Sequence, residues 1–184
     1  MITGRHNQLC SCVATTLREL GIHGKVTANS AKSYAVPSPD DTGELEPGDV
    51  TVENCHNFGA LLFIDVRVSD ILAISHRDGT VQDMFDSAWK EKNNLYLMAS
   101  RAVGADFTPL IVSQGGKVSP DSITQLNRWM GVTDSKHDDE DTAKTLTTEE
   151  IRRRKLKTDL LINISFICNL AAAKSLLEHQ KKFY

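Results

Sequence analysis

The chain has 184 residues, of which 40% are hydrophobic and 24% charged, with a formal net charge of −3; that suits one domain with a proper core and excludes a collagenous, low-complexity or strongly basic chain. Four cysteines (Cys10, Cys12, Cys55, Cys168) are spaced too irregularly for a disulfide framework, which points to a reducing compartment. No apolar run reads as a membrane span and residues 1–5 lack a signal-peptide core, so an intracellular protein with no membrane partner is expected, nuclear if the source is eukaryotic and not secreted.

Leu9, Val13, Leu17 and Leu20 predict a helix over about residues 6–20, stopped by Gly21. Residues 22–48 hold three of the five prolines and predict one short strand near Lys25–Ala28, then a long loop. Strands are predicted at Val50–Glu53 and Ala60–Val68, the second opening on a short apolar run bounded by Gly59 and therefore buried. Residues 69–80 are ambiguous, with Arg77-Asp78-Gly79 as a turn signal. A helix is predicted from about Gln82 to Val103, its inner stripe made of Phe85, Ala88, Leu95, Tyr96 and Ala99. A strand follows at Thr108–Val112, and Ser119-Pro120-Asp121 opens a helix carrying Ile123, Leu126, Trp129 and Met130.

Residues 133–148 are polar, include Asp138-Asp139-Glu140-Asp141, and predict a mobile loop. Thr147-Thr148-Glu149-Glu150 then starts a long helix to about Lys182. Its first turns are basic (Arg152, Arg153, Arg154, Lys155, Lys157), and its middle, Leu160 to Leu177, is apolar enough to require packing on the domain or a partner. The organisation is therefore a core over 1–132, an acidic loop over 133–148 and a C-terminal helix over 149–184.

Three polar residues stand out in apolar surroundings. Asp49 follows Pro47-Gly48, Asp65 follows Phe63-Ile64, and Lys92 falls on the inner stripe of its helix. A carboxylate at the end of a buried strand needs a cation or a metal to offset its desolvation. Two carboxylates from adjacent strands suit a hard cation such as Mg²⁺, and a nearby ammonium can stabilise charge on a phosphate. Arg67, two residues after Asp65, shares its strand face and offers a second cation. The alternative is plain: an Asp65–Arg67 ion pair, Asp49 in a turn, and Lys92 snorkelling.

His6, flanked by Arg5 and Asn7, is placed at a helix start, where free backbone amides favour an anion such as a DNA phosphate; a capping cluster is the competing reading. Cys10, Cys12, Cys55 and His56 lack Cys-x2-Cys spacing, so structural cysteines are expected rather than zinc. The cluster Arg152–Lys157 either tracks DNA phosphates or forms a solvated face.

The ordered set Gly4-Arg5-His6-Asn7, Pro47-Gly48-Asp49-Val50, Ile64-Asp65-Val66-Arg67-Val68, Lys92-Asn93-Asn94-Leu95-Tyr96 and Gly104-Ala105-Asp106 through Val112 resembles a known domain. It is similar to the restriction-like endonuclease domain of site-specific non-LTR retrotransposon proteins, within the PD-(D/E)XK nuclease superfamily, over about residues 4–130. The resemblance implies an α/β fold, a mixed central sheet flanked by helices, and a long C-terminal helix. It implies Mg²⁺ or Mn²⁺ held by Asp49 and Asp65, with Lys92 as the displaced catalytic lysine and Arg67 and His6 as secondary catalytic groups. DNA is the implied substrate, nicked at a target site, and Arg5, Asn7 and the basic residues of the Arg152–Lys157 cluster are its candidate contacts by their charge and placement. A reverse transcriptase and element RNA would be partners in a full-length protein. The chain departs from the pattern at Gly48, where a proline is common, at Arg67, in the usual lysine position, and at Leu95, in place of a second lysine. A catalytically weak or inactive nuclease-like module that binds nucleic acid or protein is the alternative.

Overall fold

The computed structural model describes residues 2–21, 25–28, 35–38, 43–55, 59–70, 79–132 and 146–180. In chain order the elements are α1 (Ile2–Glu19), β1 (Val26–Ala28), β2 (Val36–Pro37), β3 (Glu44–Leu45), β4 (Val50–Cys55), β5 (Gly59–Ser69), α2 (Val81–Ala102), β6 (Asp106–Ser113), α3 (Pro120–Met130) and α4 (Thr148–Gln180). The expected acidic loop falls almost wholly on residues 133–145, outside the described residues, as do 56–58 and 71–78.

Strands β1, β4, β5 and β6 form one mixed sheet in that order. The pairs β1/β4 and β4/β5 are antiparallel, whereas β5 and β6 run parallel and α2 supplies the crossover between them. Side chains alternate across β5, as the pleat requires. Leu62, Ile64 and Val66 join the core shared with Leu9, Val13 and Leu17 of α1, Leu126 and Trp129 of α3, and Leu160, Ile164 and Cys168 of α4. Phe63 faces the other way, packing with Ala99 of α2 and with Phe107 of β6. The sheet is thus covered on both faces, which is why β5 reads as a nearly unbroken apolar run.

Local signals set the helix ends. Thr80 and Asp83 form a reciprocal capping box that starts α2, and Ser119 caps α3 with Pro120 in its first turn. Thr147 and Glu150 do the same for α4. Gly131 ends α3 in the left-handed region at φ 60°, with the Arg153 guanidinium packed where a side chain would stand.

Four expectations are corrected. Helix α1 begins at Ile2, about two turns before Leu9 opens the apolar stripe that marks it in the sequence, so His6 and Asn7 lie inside the helix, beyond its free amides. Residues 22–48 contain the small β2/β3 ladder, whose two-residue strands are too short for a periodic signal. Leu95 is 41% exposed and does not belong to the inner stripe of α2, which runs through Met84, Phe85, Ala88 and Ala99. Finally, α4 is long and apolar enough to cross a bilayer by length and composition, although the sequence alone suggests no such run; only 17% of its apolar 18-residue window is buried. The buried part is the stripe Leu160, Ile164, Cys168 at four-residue spacing, while Ile162 and Phe166 on the opposite face, and Leu176 two turns further along, are exposed.

Candidate functional site

The site arises because β5 outruns β4. Their ladder ends at Val50 opposite Ile64, so from Asp65 onward β5 pairs with β6 alone. The backbone N–H of Val66 would then be an unsatisfied donor. Asp49, on the turn just before β4, fills the gap: its Oδ2 accepts from Val66 N–H at 2.7 Å, while its own N–H donates to the Ile64 carbonyl at 2.9 Å. Gly48 lets this turn approach closely, since a Cβ there would meet the Phe63 Cβ at 3.0 Å.

Helix α1 brings His6 to the same carboxylate, with Nε2 3.1 Å from Asp49 Oδ2. One turn along α1, the buried Cys10 Sγ lies 3.7 Å from His6 Nδ1 and 3.8 Å from Nε2. The hydrogen bond with Asp49, and then that with Cys10, pushes the His6 imidazole up to about 11, against the opposing effect of burial. Burial pushes the Cys10 thiol up as well.

From β5, Asp65 points toward α2, as Phe63 does two residues earlier. Lys92 donates to Asp65 Oδ1 at 3.1 Å, and its ammonium is 3.0 Å from Oδ2. That second oxygen is buried and receives no hydrogen bond of acceptable angle despite the short ionic contact. The Asp65 side chain is only 10% exposed and that of Lys92 18%. Burial holds the Asp65 carboxyl above the usual carboxylate range; Lys92 opposes the shift, and the negative charge of Asp49 adds to it. The two carboxylates therefore share one electrostatic neighbourhood. Lys92 also sits 5.3 Å from the Tyr96 ring centroid, in cation–π range.

Arg67 does not pair with Asp65. Its guanidinium reaches across to Glu91 of α2 at 2.6 Å. A cleft of about 250 Å³ opens at this point, lined by Arg5, His6, Val66, Arg67, Val68 and Lys92. Its cationic rim suits an anionic ligand. A larger cavity of about 500 Å³ lies elsewhere, in the groove between α1 and α4, and Asn7 belongs to that groove. The structure thus brings together His6, Asp49, Asp65 and Lys92, with Arg5 and Arg67 at the rim.

The basic start of α4 is elsewhere. Arg152 donates to the carbonyls of Glu19 at 2.6 Å and Leu20 at 3.4 Å, and Arg153 to that of Met130 at 3.4 Å. Both are also paired with Glu149, whose carboxyl they hold down at about 2. These two arginines tie α4 to the C-terminal ends of α1 and α3, where orphan carbonyls and the helix dipole favour a cation. The thirteen steps along α1 from His6 to Glu19 put this cluster about 20 Å from the site, at 1.5 Å per residue. Lys155 is exposed, and Arg154 and Lys157 are half-buried.

Two participants escape the sequence reading. Glu91 looks like a solvated helix residue but anchors Arg67. Cys10 stands four residues after His6, the spacing that puts two side chains on one helix face, and that spacing is the signal in the sequence for their contact. As possible metal ligands, Asp49 and Asp65 offer hard carboxylate oxygens, whereas His6, Cys10 and Asp49 make a second, softer set. No known protein-family model matches the chain, and no curated protein is significantly similar to it.

Proposed function

We propose that the chain is a metal-dependent DNA endonuclease module with a restriction-endonuclease-like arrangement of its mixed sheet and helices. The observation that carries this reading is the Lys92 ammonium, delivered from α2 to within 3.1 Å of both oxygens of a buried strand carboxylate next to Asp49. Support also comes from the element order, in which a helix, three antiparallel-paired strands, a crossover helix and a parallel strand lead to one site. The residues fit a hard dication: Asp49 and Asp65 both offer carboxylate oxygens where the β4/β5 ladder ends, and Asp65 Oδ2 is buried without a well-angled donor.

Mg²⁺ or Mn²⁺ held by Asp49 and Asp65 would supply charge neutralisation at the scissile phosphodiester and acidify water. Lys92 orients Asp65 and places positive charge where the phosphoryl oxygens become more negative in the transition state. Arg5 and Arg67 line the cleft and hold the flanking phosphates. His6 fixes the Asp49 carboxylate through its 3.1 Å contact, a positioning role. The biological setting that the resemblance implies is nicking of a genomic target for retrotransposon insertion, with a reverse transcriptase and element RNA as partners.

A second reading is favoured by a specific observation: Asp65 is already compensated by Lys92, and Asp49 by Val66 N–H and His6. Such a closed network suits an inactive nuclease-like module that binds nucleic acid. Nicking of supercoiled DNA with Mg²⁺ or Mn²⁺, run beside calorimetric titration of the metal, separates the two. The endonuclease reading requires cleavage that Asp65→Asn abolishes and metal binding that Asp49→Ala removes. Correctly folded chain that binds DNA but neither binds these metals nor cleaves would establish the inactive module.

A further inference from the structure

We propose that His6 Nε2, Cys10 Sγ and the Asp49 carboxylate form a three-residue site for a borderline-soft dication of the zinc class, with one coordination position left to the cleft. The ligand atoms of these residues all lie within 4.8 Å of one another. Their separations are telling: Nε2 to Oδ2 is 3.1 Å and Sγ to Nε2 is 3.8 Å. A tetrahedral Zn²⁺ with ordinary bond lengths of about 2.0–2.3 Å places its ligands about 3.3–3.6 Å apart, so two of the three edges are within a few tenths of an ångström of what is required, and the third, Sγ to the Asp49 carboxylate, is within 4.8 Å.

The elements explain why the site is held. His6 and Cys10 stand one turn apart on the same face of α1, the spacing by which a helix presents two ligands to one ion. Asp49 is fixed independently, its Oδ2 anchored by Val66 N–H at 2.7 Å, which is the orienting outer contact a ligating carboxylate needs. The other imidazole nitrogen, Nδ1, is 3.4 Å from Asn7 Oδ1, an outer contact that can keep the Nδ1 proton while Nε2 gives its own up to ligate. Sγ is nearly equidistant from the two ring nitrogens, and a turn of the imidazole about its Cβ–Cγ bond is the adjustment binding requires. The His6 side chain, 29% exposed, has room to make it.

A mixed nitrogen, sulfur and oxygen set discriminates against Mg²⁺, which wants oxygen alone, and in favour of Zn²⁺ or Co²⁺. Three protein ligands with one open position is also the pattern of a reactive rather than a purely structural zinc site. Binding displaces the thiol proton of Cys10 and the proton shared by His6 and Asp49, both of which pass to solvent. The assignment does not depend on the nuclease reading, although the shared Asp49 would make a zinc-class ion compete with a hard metal there.

The test uses Co²⁺ as the probe on the whole chain. Titration should develop the visible bands of tetrahedral Co²⁺ together with a thiolate-to-cobalt charge-transfer band, and Zn²⁺ should displace both. Cys10→Ser should lose the charge-transfer band and weaken Zn²⁺ binding at least about a hundredfold, more than the 10–100-fold cost of losing an outer contact. Cys12→Ser and Asp65→Asn should retain the spectrum. His6→Gln, at a part-exposed helical position, gives a variant that should fold normally and still lose the tetrahedral bands. A wild-type chain without a charge-transfer band, or a band that survives Cys10→Ser, overturns the assignment. Loss of the spectrum in Asp65→Asn also overturns it, by moving the ion to the carboxylate pair. None of these outcomes depends on DNA cleavage.

Discussion

Replacing Lys92 by methionine keeps most of the apolar stem and removes only the charge, so it isolates what the ammonium does for Asp65. Both side chains are largely buried, and the ammonium touches both carboxylate oxygens at 3.0–3.1 Å. Without it a buried carboxylate is left uncompensated, which costs about 3–5 kcal/mol in comparable pairs. Asp65 has an escape, because it can take up a proton. Holding it neutral at pH 7 costs about 4 kcal/mol, from 1.36 kcal/mol per pH unit over the roughly three units above an unfolded aspartate value of about 3.9. The expected loss is therefore about 3–4 kcal/mol at pH 7.

The sign follows from the direction of the Asp65 shift. Its folded-state value is already raised, mainly by burial, and removing Lys92 raises it further. Stability linked to such a group is fully present below the unfolded value and is lost as pH rises through the folded one. At pH 5 the neutralisation cost is only about 1.5 kcal/mol by the same arithmetic, so the Lys92→Met defect should shrink by half or more. Urea unfolding of both proteins at the two pH values measures this, and adding Asp65→Asn to Lys92→Met should restore most of the loss. A defect below about 0.5 kcal/mol at pH 7, the range of ordinary surface substitutions, would refute the buried-pair argument; so would one of equal size at pH 5. On the proposed endonuclease reading, and under conditions where the variant is folded, metal binding should survive and DNA cleavage fall at least about tenfold, or about 1.4 kcal/mol of transition-state stabilisation.

Thr80→Ala removes the side-chain acceptor of the α2 capping box and should cost about 1 kcal/mol in chemical unfolding, with no effect on metal binding. Gly116→Ala forces a side chain onto a backbone at φ 86°, with its Cβ 2.6 Å from the Cα of Ser165 in α4. It should destabilise by more than about 1 kcal/mol, and a thermal midpoint equal to wild type would show that the turn yields freely. Arg152→Ala and Arg153→Ala each remove charge-assisted bonds to helix-end carbonyls and should each lower stability measurably in chemical unfolding. If stability is unchanged while DNA affinity falls and its salt dependence flattens, the two arginines serve phosphate instead.

Much of this molecule is written in local patterns. The apolar run before Asp65, the stripe Leu9, Val13, Leu17, and the caps at Ser119 and Thr147 depend on periodicity and short-range hydrogen bonding, which residues a few positions apart decide among themselves. The inward direction of Lys92 was legible for the same reason, since its spacing from Phe85 and Ala88 is a property of one helix. The helix start at Ile2 was not, because its first turn carries no apolar stripe. The roles of Arg67, Arg152 and Arg153 depended on partners 24 or more residues away or on carbonyls at the ends of other helices, which composition cannot reveal. The meeting of His6, Cys10 and Asp49 was decided by where β4 stops against β5. That ladder end leaves the Val66 N–H open, draws the Asp49 carboxylate onto it, and sets it against the face of α1 that the core packing presents.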